Sequence, residues 1–412
     1  MHLNKKIYCK MICFVLLFTS MIPFTVVQAT DESAYVWSSI TEPVTAEVST
    51  STDNSLNLES GSAVLMEQTT GQILYEHNPH EQLRPASVTK VMSILLIMEA
   101  IDSGRISFTD KVSCSENARS MGGSQIWLNE TEQLTVDEML KAICVVSAND
   151  CTVAMAEHLA GSEELFVEQM NQKAKELGMN DTTFKNCHGI DEDGHVTSSY
   201  DIALMSRELM TKHPQITKYT TIWMDSLRDG KSELVNTNKL VRNYSGCTGL
   251  KTGSTSLALY NLSATATRDN LSLIAVIMKA PNTATRFAEA KKLLDFGFNT
   301  YEFKQFNQKG ETIMQIPVQK GISGSVEAII KEDGGILLKK GEYKDITQTI
   351  QLPNSISAPI FEGQHLGEIV YSKGNDILLT AEIVAKSEVK KMSFGNVLTQ
   401  VYQKWFTLNR SL

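Results

Sequence analysis

The chain has no basic stripe and no excess of positive charge. Its 38 Lys and Arg are outnumbered by 47 Asp and Glu, giving a net charge of −9, and no run of cations with interleaved aromatics offsets that balance, which excludes nucleic acid as the natural partner. CxxC pairs are missing as well. Of seven cysteines, Cys9 and Cys13 lie in an apolar N-terminal stretch. Cys114, Cys144, Cys151, Cys187 and Cys247 form an odd set at irregular spacing, neither a disulfide framework nor a thiolate metal site. Free buried thiols are expected, with at most one or two bridges. Cys144 and Cys151 are expected on one helix face two turns apart, beyond the reach of a bridge. No internal repeat runs through the sequence. With apolar residues at 42% and charged residues at 21%, neither a fibrous nor a disordered class fits. What remains is a globular chain of roughly two to three domains, long enough for a sizeable core.

The N-terminus speaks for export. Lys5, Lys6 and Lys10 precede the apolar run MICFVLLFTSMIPFTVV, and VQA, Val27 to Ala29, sets small residues ahead of Thr30, the pattern of a secretory signal over residues 1–29. An uncleaved transmembrane anchor is the alternative, but Ser20 and Pro23 interrupt the run and a cleavage pattern follows it. Residues 30–58, rich in Ser, Thr and acids without apolar periodicity, read as a flexible leader.

The folded body follows. GSAVLMEQTTGQILYEHN gives two strand-like runs joined by a turn. A helix is expected from Ala86 to Ile101, with Pro85 before it and Gly104 after it; its residues are apolar nearly all round, so it is expected at the centre of the fold. Helical periodicity holds from 134 to 180, where Thr135 and Glu138 make a capping box. Strand signals return in GLKTGST, LALYNLSATAT and LSLIAVIMKA, followed by a helical TATRFAEAKKLLDFGFNTY. Strands at both ends with helices between predict an α/β (α+β) domain over 59–303: an antiparallel sheet whose first and last strands meet, with helices packed on it. From 304 to 386 short alternating runs broken by Gly, Pro and Asn predict a small β-rich domain without a cluster of titratable groups. In the tail, 387–412, Phe394, Val397, Leu398, Val401, Trp405 and Leu408 recur at helical spacing beside Lys390, Lys391, Lys404 and Arg410. That suits an amphipathic helix lying on a membrane surface, the alternative being a helix docked on the β domain.

Three short motifs carry the chemistry as an ordered set. A serine three residues before a lysine is weak alone, since Ser387 and Lys390 repeat it, and Ser-x-Asn recurs at Ser55/Asn57 and Ser115/Asn117. The informative pattern is Ser87-x-x-Lys90 opening a buried helix, Ser147-Ala-Asn149 closing another about 60 residues on, and Lys251-Thr252-Gly253 on a strand about 100 residues later. A lysine one helical turn from a hydroxyl can serve as its base only after losing its proton. Desolvation and a nearby cation, Lys251, both push it in that direction.

This set, with RPASVTKVM, GGSQIWL, VVSANDC, MNQKAKELGMNDTTFKN and GLKTGST around it, resembles the D-alanyl-D-alanine carboxypeptidases among the low-molecular-mass penicillin-binding proteins, from about residue 60 to the C-terminus. The resemblance implies a serine β-lactamase/transpeptidase-like domain, a second β domain and a membrane-associating tail, and no cofactor. It implies catalytic roles for Ser87 as nucleophile, Lys90 as base and Ser147 as proton relay. Substrate would be held by Asn149, Lys251, Thr252, Gly253, Ser254 and Thr255, with the backbone N–H groups of Ser87 and Ser254 as oxyanion donors. The implied partners are a peptidoglycan stem peptide ending in D-Ala-D-Ala, β-lactams as covalent inhibitors, and the membrane, with the enzyme at the outer face of the cytoplasmic membrane or in the cell wall. Rival readings are a β-lactamase, disfavoured by the β domain, the tail and the lack of an obvious second carboxylate base, and a catalytically idle wall-binding protein. A metal loop at Cys187, His188, Asp191, Asp193 and His195 matches no ligand spacing, and turn-forming residues explain it.

Overall fold

A computed structural model describes residues 56–399. The expected signal, most of the leader and the end of the tail lie outside the described residues. Apart from short turns and two small hairpins, the first domain comprises β1 (Ser62–Glu67), β2 (Ile73–His77), α1 (Lys90–Asp102), α2 (Val136–Val145), α3 (Asn149–Ala160), α4 (Glu163–Glu176), α5 (Ser199–Lys212), β3 (Cys247–Thr255), β4 (Leu259–Arg268), β5 (Leu271–Ala280) and α6 (Thr283–Thr300). The five strands form one antiparallel sheet in the order β2-β1-β5-β4-β3. The first strand therefore pairs with the last, as the distribution of strand signals predicts.

This sheet is covered on both faces, which is why β1 and β5 read as nearly continuous apolar runs, whereas β4 alternates Leu262, Ala264 and Ala266 with the buried polar Asn261, Ser263 and Thr265. Val64 and Met66 of β1 and Ile274, Val276 and Met278 of β5 face the helical core built around α1. Ala63, Leu65, Leu273, Ala275 and Ile277 face the opposite core. There α6 lays down Phe287, Ala290, Leu293, Leu294 and Phe298 at helical spacing. Helix α1 is the axis of the first core: Val91, Met92, Ile94, Leu95, Ile97 and Met98 are almost wholly buried. Each such side chain contributes about 1.5–3 kcal/mol relative to exposure, enough together to carry a buried lysine at the helix start.

Two local expectations need correction. Residues Ala86–Thr89 form a 3-10 turn, and the α-helix begins at Lys90. Pro85 allows only a tight entry: its carbonyl accepts from Val88 N–H at 3.3 Å, and Ala86 sits at φ +49. Cys144 and Cys151 do not share a helix. Helix α2 stops at Val145 and α3 starts at Asn149, so the two thiols lie on successive helices, and all five cysteines among the described residues are free. The capping box is present, with Thr135 and Glu138 exchanging side-chain and backbone bonds at the start of α2.

The second domain is all β: β6 (Tyr301–Asn307), β7 (Thr312–Gln319), β8 (Ser325–Ile330), β9 (Gly334–Lys339), β10 (Ile346–Gln351), β11 (Ile356–Ser357), β12 (His365–Lys373) and β13 (Asp376–Ala385). A six-stranded sheet runs β10-β12-β13-β8-β7-β11, and β6 pairs β9. On β8 burial alternates strictly, with Val326, Ala328 and Ile330 pointing into a third core. Residues 394–399 are helical, and Phe394 and Leu398 are 83% and 61% exposed. No helix among the described residues is long and apolar enough to cross a membrane.

Candidate active site

The 3-10 turn sets Ser87 directly over Lys90, because residues three apart eclipse in that geometry. Lys90 Nζ lies 3.0 Å from Ser87 Oγ, 2.6 Å from Asn149 Oδ1 and 2.6 Å from the carbonyl oxygen of His188. The amine is completely buried. Burial pushes its pKa well below the usual lysine range, the Lys251 cation lowers it further, and Cys187 and Asp150 oppose the shift more weakly. A neutral amine has two protons and one lone pair. Asn149 Oδ1 and His188 O can only accept, so they take the two protons and the lone pair is left for the Ser87 hydroxyl. That is the arrangement a general base requires.

Asn149 is not the C-cap of a helix but the first residue of α3. Helix α2 is ended by Ser147, whose φ is +66, a left-handed conformation uncommon outside glycine. The reversal buries the Ser147 hydroxyl, which has no hydrogen-bond partner among the described residues. Asn149 is engaged at both ends: Nδ2 donates to Gly122 O at 2.7 Å while Oδ1 accepts from Lys90. Its main-chain N–H donates to Ser124 O, and the Asp150 carboxylate accepts from the N–H groups of Ile126 and Leu128. The start of α3 thereby fixes the GGSQIWL loop along one wall of the site.

Strand β3 supplies the opposite wall. Lys251 is 1% exposed, and its Nζ donates to its neighbour's carbonyl, Thr252 O, at 3.0 Å. Burial lowers its pKa to about 7, with the Arg286 charge adding to the shift and Cys144 opposing it. Thr252 Oγ1 donates to Thr237 Oγ1, and Thr255 Oγ1 accepts from Ala258 N–H. Ser254 is exposed. Gly253 is there for fit: a Cβ would come within 2.9 Å of Pro85 O, Ser87 N and Val88 N, so only glycine lets the strand pack against the turn that carries Ser87. All three motifs thus converge on one cleft.

Val146, next to Ser147, lines a groove of about 790 Å³ between the GGSQIWL loop and the hairpin Met224–Leu227/Ser232–Val235. Trp127, 73% exposed, stands on its rim. Arg228 ties the two walls together, donating to Glu132 Oε1 at 2.6 Å and to Ile126 O at 2.9 Å.

Several working residues escape the motif reading. Arg286 of α6, buried against the Tyr260 and Phe287 rings, donates to Gly253 O and Asn261 O and braces β3 from behind. Behind Lys90 lies the loop of residues 187–195, whose two histidines are engaged in hydrogen bonds of their own. His188 gives its carbonyl to Lys90. Its Nδ1 accepts from Ile190 N–H, which requires a neutral ring protonated at Nε2, with Glu163 Oε1 3.5 Å from that atom; burial above all holds its pKa down to about 3. His195 accepts from Lys185 N–H at Nδ1, and its Nε2 lies 2.8 Å from Thr89 Oγ1, so it is neutral as well; burial holds it down to about 4. Asp193 faces Arg84 at 3.1 Å and Asp191 stands 4.0 Å from it. No three of these metal-binding residue types gather among the described residues. The signal for this loop was Gly189, at φ +92, where a Cβ would meet Ala86 O at 1.9 Å.

A helical core backing an antiparallel sheet, with a serine and a desolvated lysine at their junction, defines an active-site-serine acyltransferase of the penicillin-binding class. Comparison with known proteins makes this specific. The sequence profile described as D-alanyl-D-alanine carboxypeptidase matches residues 47–282, and that described as penicillin-binding protein 5, C-terminal domain, matches 301–391. The chain is 46% identical over 351 residues to the D-alanyl-D-alanine carboxypeptidase DacF of Bacillus subtilis, covering 84% of this chain and 90% of the relative. Among solved structures, penicillin-binding protein 5 from Haemophilus influenzae superposes with a TM-score of 0.69 at 31% identity, over 81% of this chain and 98% of that one. Penicillin-binding protein D2 from Listeria monocytogenes, in its ampicillin-bound form, does so with 0.54 at 30% identity, over 58% and 98%. The chain belongs to the D-alanyl-D-alanine carboxypeptidase family.

Proposed function

We propose that this protein is a serine-type D-Ala-D-Ala carboxypeptidase that removes the terminal D-alanine from peptidoglycan stem peptides through an acyl-enzyme on Ser87. The observation that carries the reading is the environment of Lys90: two acceptor-only oxygens at 2.6 Å and a serine hydroxyl at 3.0 Å. Lys90 Nζ takes the Ser87 proton as Oγ bonds to the carbonyl carbon of the penultimate D-alanine. The backbone N–H groups of Ser87 and Ser254 stabilise the oxyanion. When the C–N bond breaks, the proton passes from Lys90 through the Ser147 hydroxyl to the leaving amine, and D-alanine departs. Water, deprotonated by the same amine, then cleaves the ester. Lys251, with the hydroxyls of Thr252 and Thr255, holds the substrate's terminal carboxylate, whose charge draws a proton onto the Lys251 amine. Asn149 acts first on Lys90 and borders the substrate amide. The groove beside Val146 receives the peptide leading to the scissile bond.

The proposed organisation is an exported enzyme at the outer face of the cytoplasmic membrane: residues 1–29 as signal, 30–58 as leader, 59–300 as catalytic domain, 301–391 as spacer, since β6 begins at Tyr301 and Val389 and Lys391 still bridge to the β domain, and the tail from 394 as the membrane-associating segment. The exposure of Phe394 and Leu398 favours a lipid surface over docking on the β domain. Intact-mass measurement after incubation with penicillin tests the acyl-enzyme. Wild type should gain one antibiotic mass, mapped to Ser87, and Ser87→Ala none; an adduct on any other residue overturns the assignment. Release of the adduct in seconds instead of minutes would make the protein a β-lactamase.

A further inference from the structure

The base has three neighbours, and the mechanism accounts for two of them by side chain. The third, His188 O, belongs to the His188–Gly189 peptide, whose orientation must come from elsewhere. The other end of that rigid peptide unit, Gly189 N–H, donates to Asn186 Oδ1 at 2.7 Å. Asn186 is itself fixed: it is 7% exposed, and its Nδ2 donates to Ile190 O at 2.9 Å and to Glu192 Oε2 at 3.2 Å. These partners settle which end of the amide is oxygen, since Gly189 N–H can only donate and Ile190 O can only accept.

We propose that Asn186 is a positioning residue for the acylation step, holding the His188–Gly189 peptide so that its carbonyl takes one proton of Lys90 and the amine lone pair points at Ser87. The chain of bonds runs from the Glu192 carboxylate through the Asn186 amide and the peptide to the Lys90 amine. Each donor along it polarises the next acceptor, so His188 O binds the lysine proton more strongly than an isolated carbonyl would. Two further contacts keep the preceding residue in register: Cys187 O accepts from Ser93 Oγ at 2.6 Å, and Cys187 N–H donates to Glu163 Oε1 at 3.0 Å. Neither constrains the 188–189 peptide plane itself. Without the Asn186 acceptor that plane is free to tilt, His188 O leaves the amine, and a Lys90 proton competes with the Ser87 hydroxyl for the space between them. Substrate is not touched, so the loss falls on the chemical step and not on binding.

The inference rests on Lys90 being the base, and the test separates the two. Acylation of the full chain by a β-lactam is followed by stopped flow, resolving initial binding from the acylation rate constant. Asn186→Ala should lower the rate constant about 10- to 100-fold while initial binding stays within about threefold. Asn186→Asp restores the acceptor but turns its second oxygen toward both the Glu192 carboxylate and Ile190 O; adding Glu192→Gln restores a donor against the first and leaves the second, so the double variant should acylate at least about fivefold faster than Asn186→Asp without reaching wild type. Recovery through reversed polarity is not expected of a residue that merely fills space. Should Asn186→Ala fail to show a cooperative unfolding transition, the double variant decides alone. An Asn186→Ala rate within about twofold of wild type overturns the inference, as does a loss confined to initial binding or a double variant no faster than Asn186→Asp. A Lys90→Ala protein that acylates normally would instead overturn the base assignment on which it stands.

Discussion

Lysines in the two domains live under opposite rules. In the β domain Lys331 and Lys386 reach Glu382 and Glu327, each at 2.6 Å, on open surface, and Glu382 holds Lys331 above its ordinary pKa. In the cleft Lys90 and Lys251 are buried, face no carboxylate within ion-pair distance among the described residues, and are both pushed down. A surface lysine gains little from its partner and keeps its proton. A desolvated one gives the proton up, and in the proposed mechanism the free amine this leaves at Lys90 is the base. The same residue type is thus solvation in one domain and chemistry in the other, and breaking lysines in each should separate the two.

The largest effect belongs to Lys90. Lys90→Ala removes the base and should lower penicillin acylation at least about 10³-fold, read by intact mass over time, with the protein still folded by circular dichroism. If acylation survives, the buried amine is structural and the contrast between the domains has no catalytic content.

Lys251 sharpens the comparison through pH. In the empty enzyme it releases its proton near pH 7, so above that pH an incoming carboxylate must supply the driving force for protonation. The value of kcat/KM for a peptide with a free C-terminal carboxylate should therefore fall on the alkaline side of about 7, while acylation by a ligand lacking that carboxylate should not show the limb. Stability moves the other way. Unfolded Lys251 keeps its proton to about 10.5 and the folded residue only to about 7, so between these values the unfolded state binds more protons and stability rises with pH. The penalty is fully present below 7, on the order of 4 kcal/mol at neutral pH. Lys251→Met should raise Tm by several degrees at pH 7, less at pH 10, and raise KM for the carboxylate substrate about 100-fold. A lower Tm at pH 7 would refute the strained-lysine account.

How much of this was legible depended on whether a role is written in a side chain. Ser87, Lys90 and Lys251 stand out in the sequence as candidates because their order and spacing form a pattern, and the sheet could be read because β1 and β5 are apolar nearly throughout. The acceptor on His188 is a main-chain oxygen that every residue type supplies, so no motif marks it. Asn186 and Arg286 act on backbone atoms of distant segments, contacts that only the closed sheet creates. Ser147 was legible as a residue but not as a helix breaker, because a positive φ at serine runs against its local preference; the same blindness placed Cys144 and Cys151 on one helix. Gly253 was read as a substrate contact, whereas its neighbours, Pro85 O and the N–H groups of Ser87 and Val88, make it first of all a spacer. Gly253→Ala should therefore slow acylation about 10-fold or more by displacing Ser87, detected as a lower rate constant with Lys251-dependent binding retained.

The smallest effect should come from the β domain. Lys331→Ala removes an exposed ion pair whose partner, Glu382, keeps a second neighbour in His365 Nδ1 at 3.2 Å. Exposed pairs of this kind contribute little, because water and salt screen them and two long side chains must be ordered to form them. Acylation, KM and the pH profile should match wild type within error, and Tm should shift no more than replicate measurements do. The outcome is informative because Lys331 is as basic as the cleft lysines are in water. If its loss altered the alkaline limb of kcat/KM, the field acting on Lys251 would extend across the molecule, and local desolvation could no longer explain why one lysine titrates near 7 and the other does not.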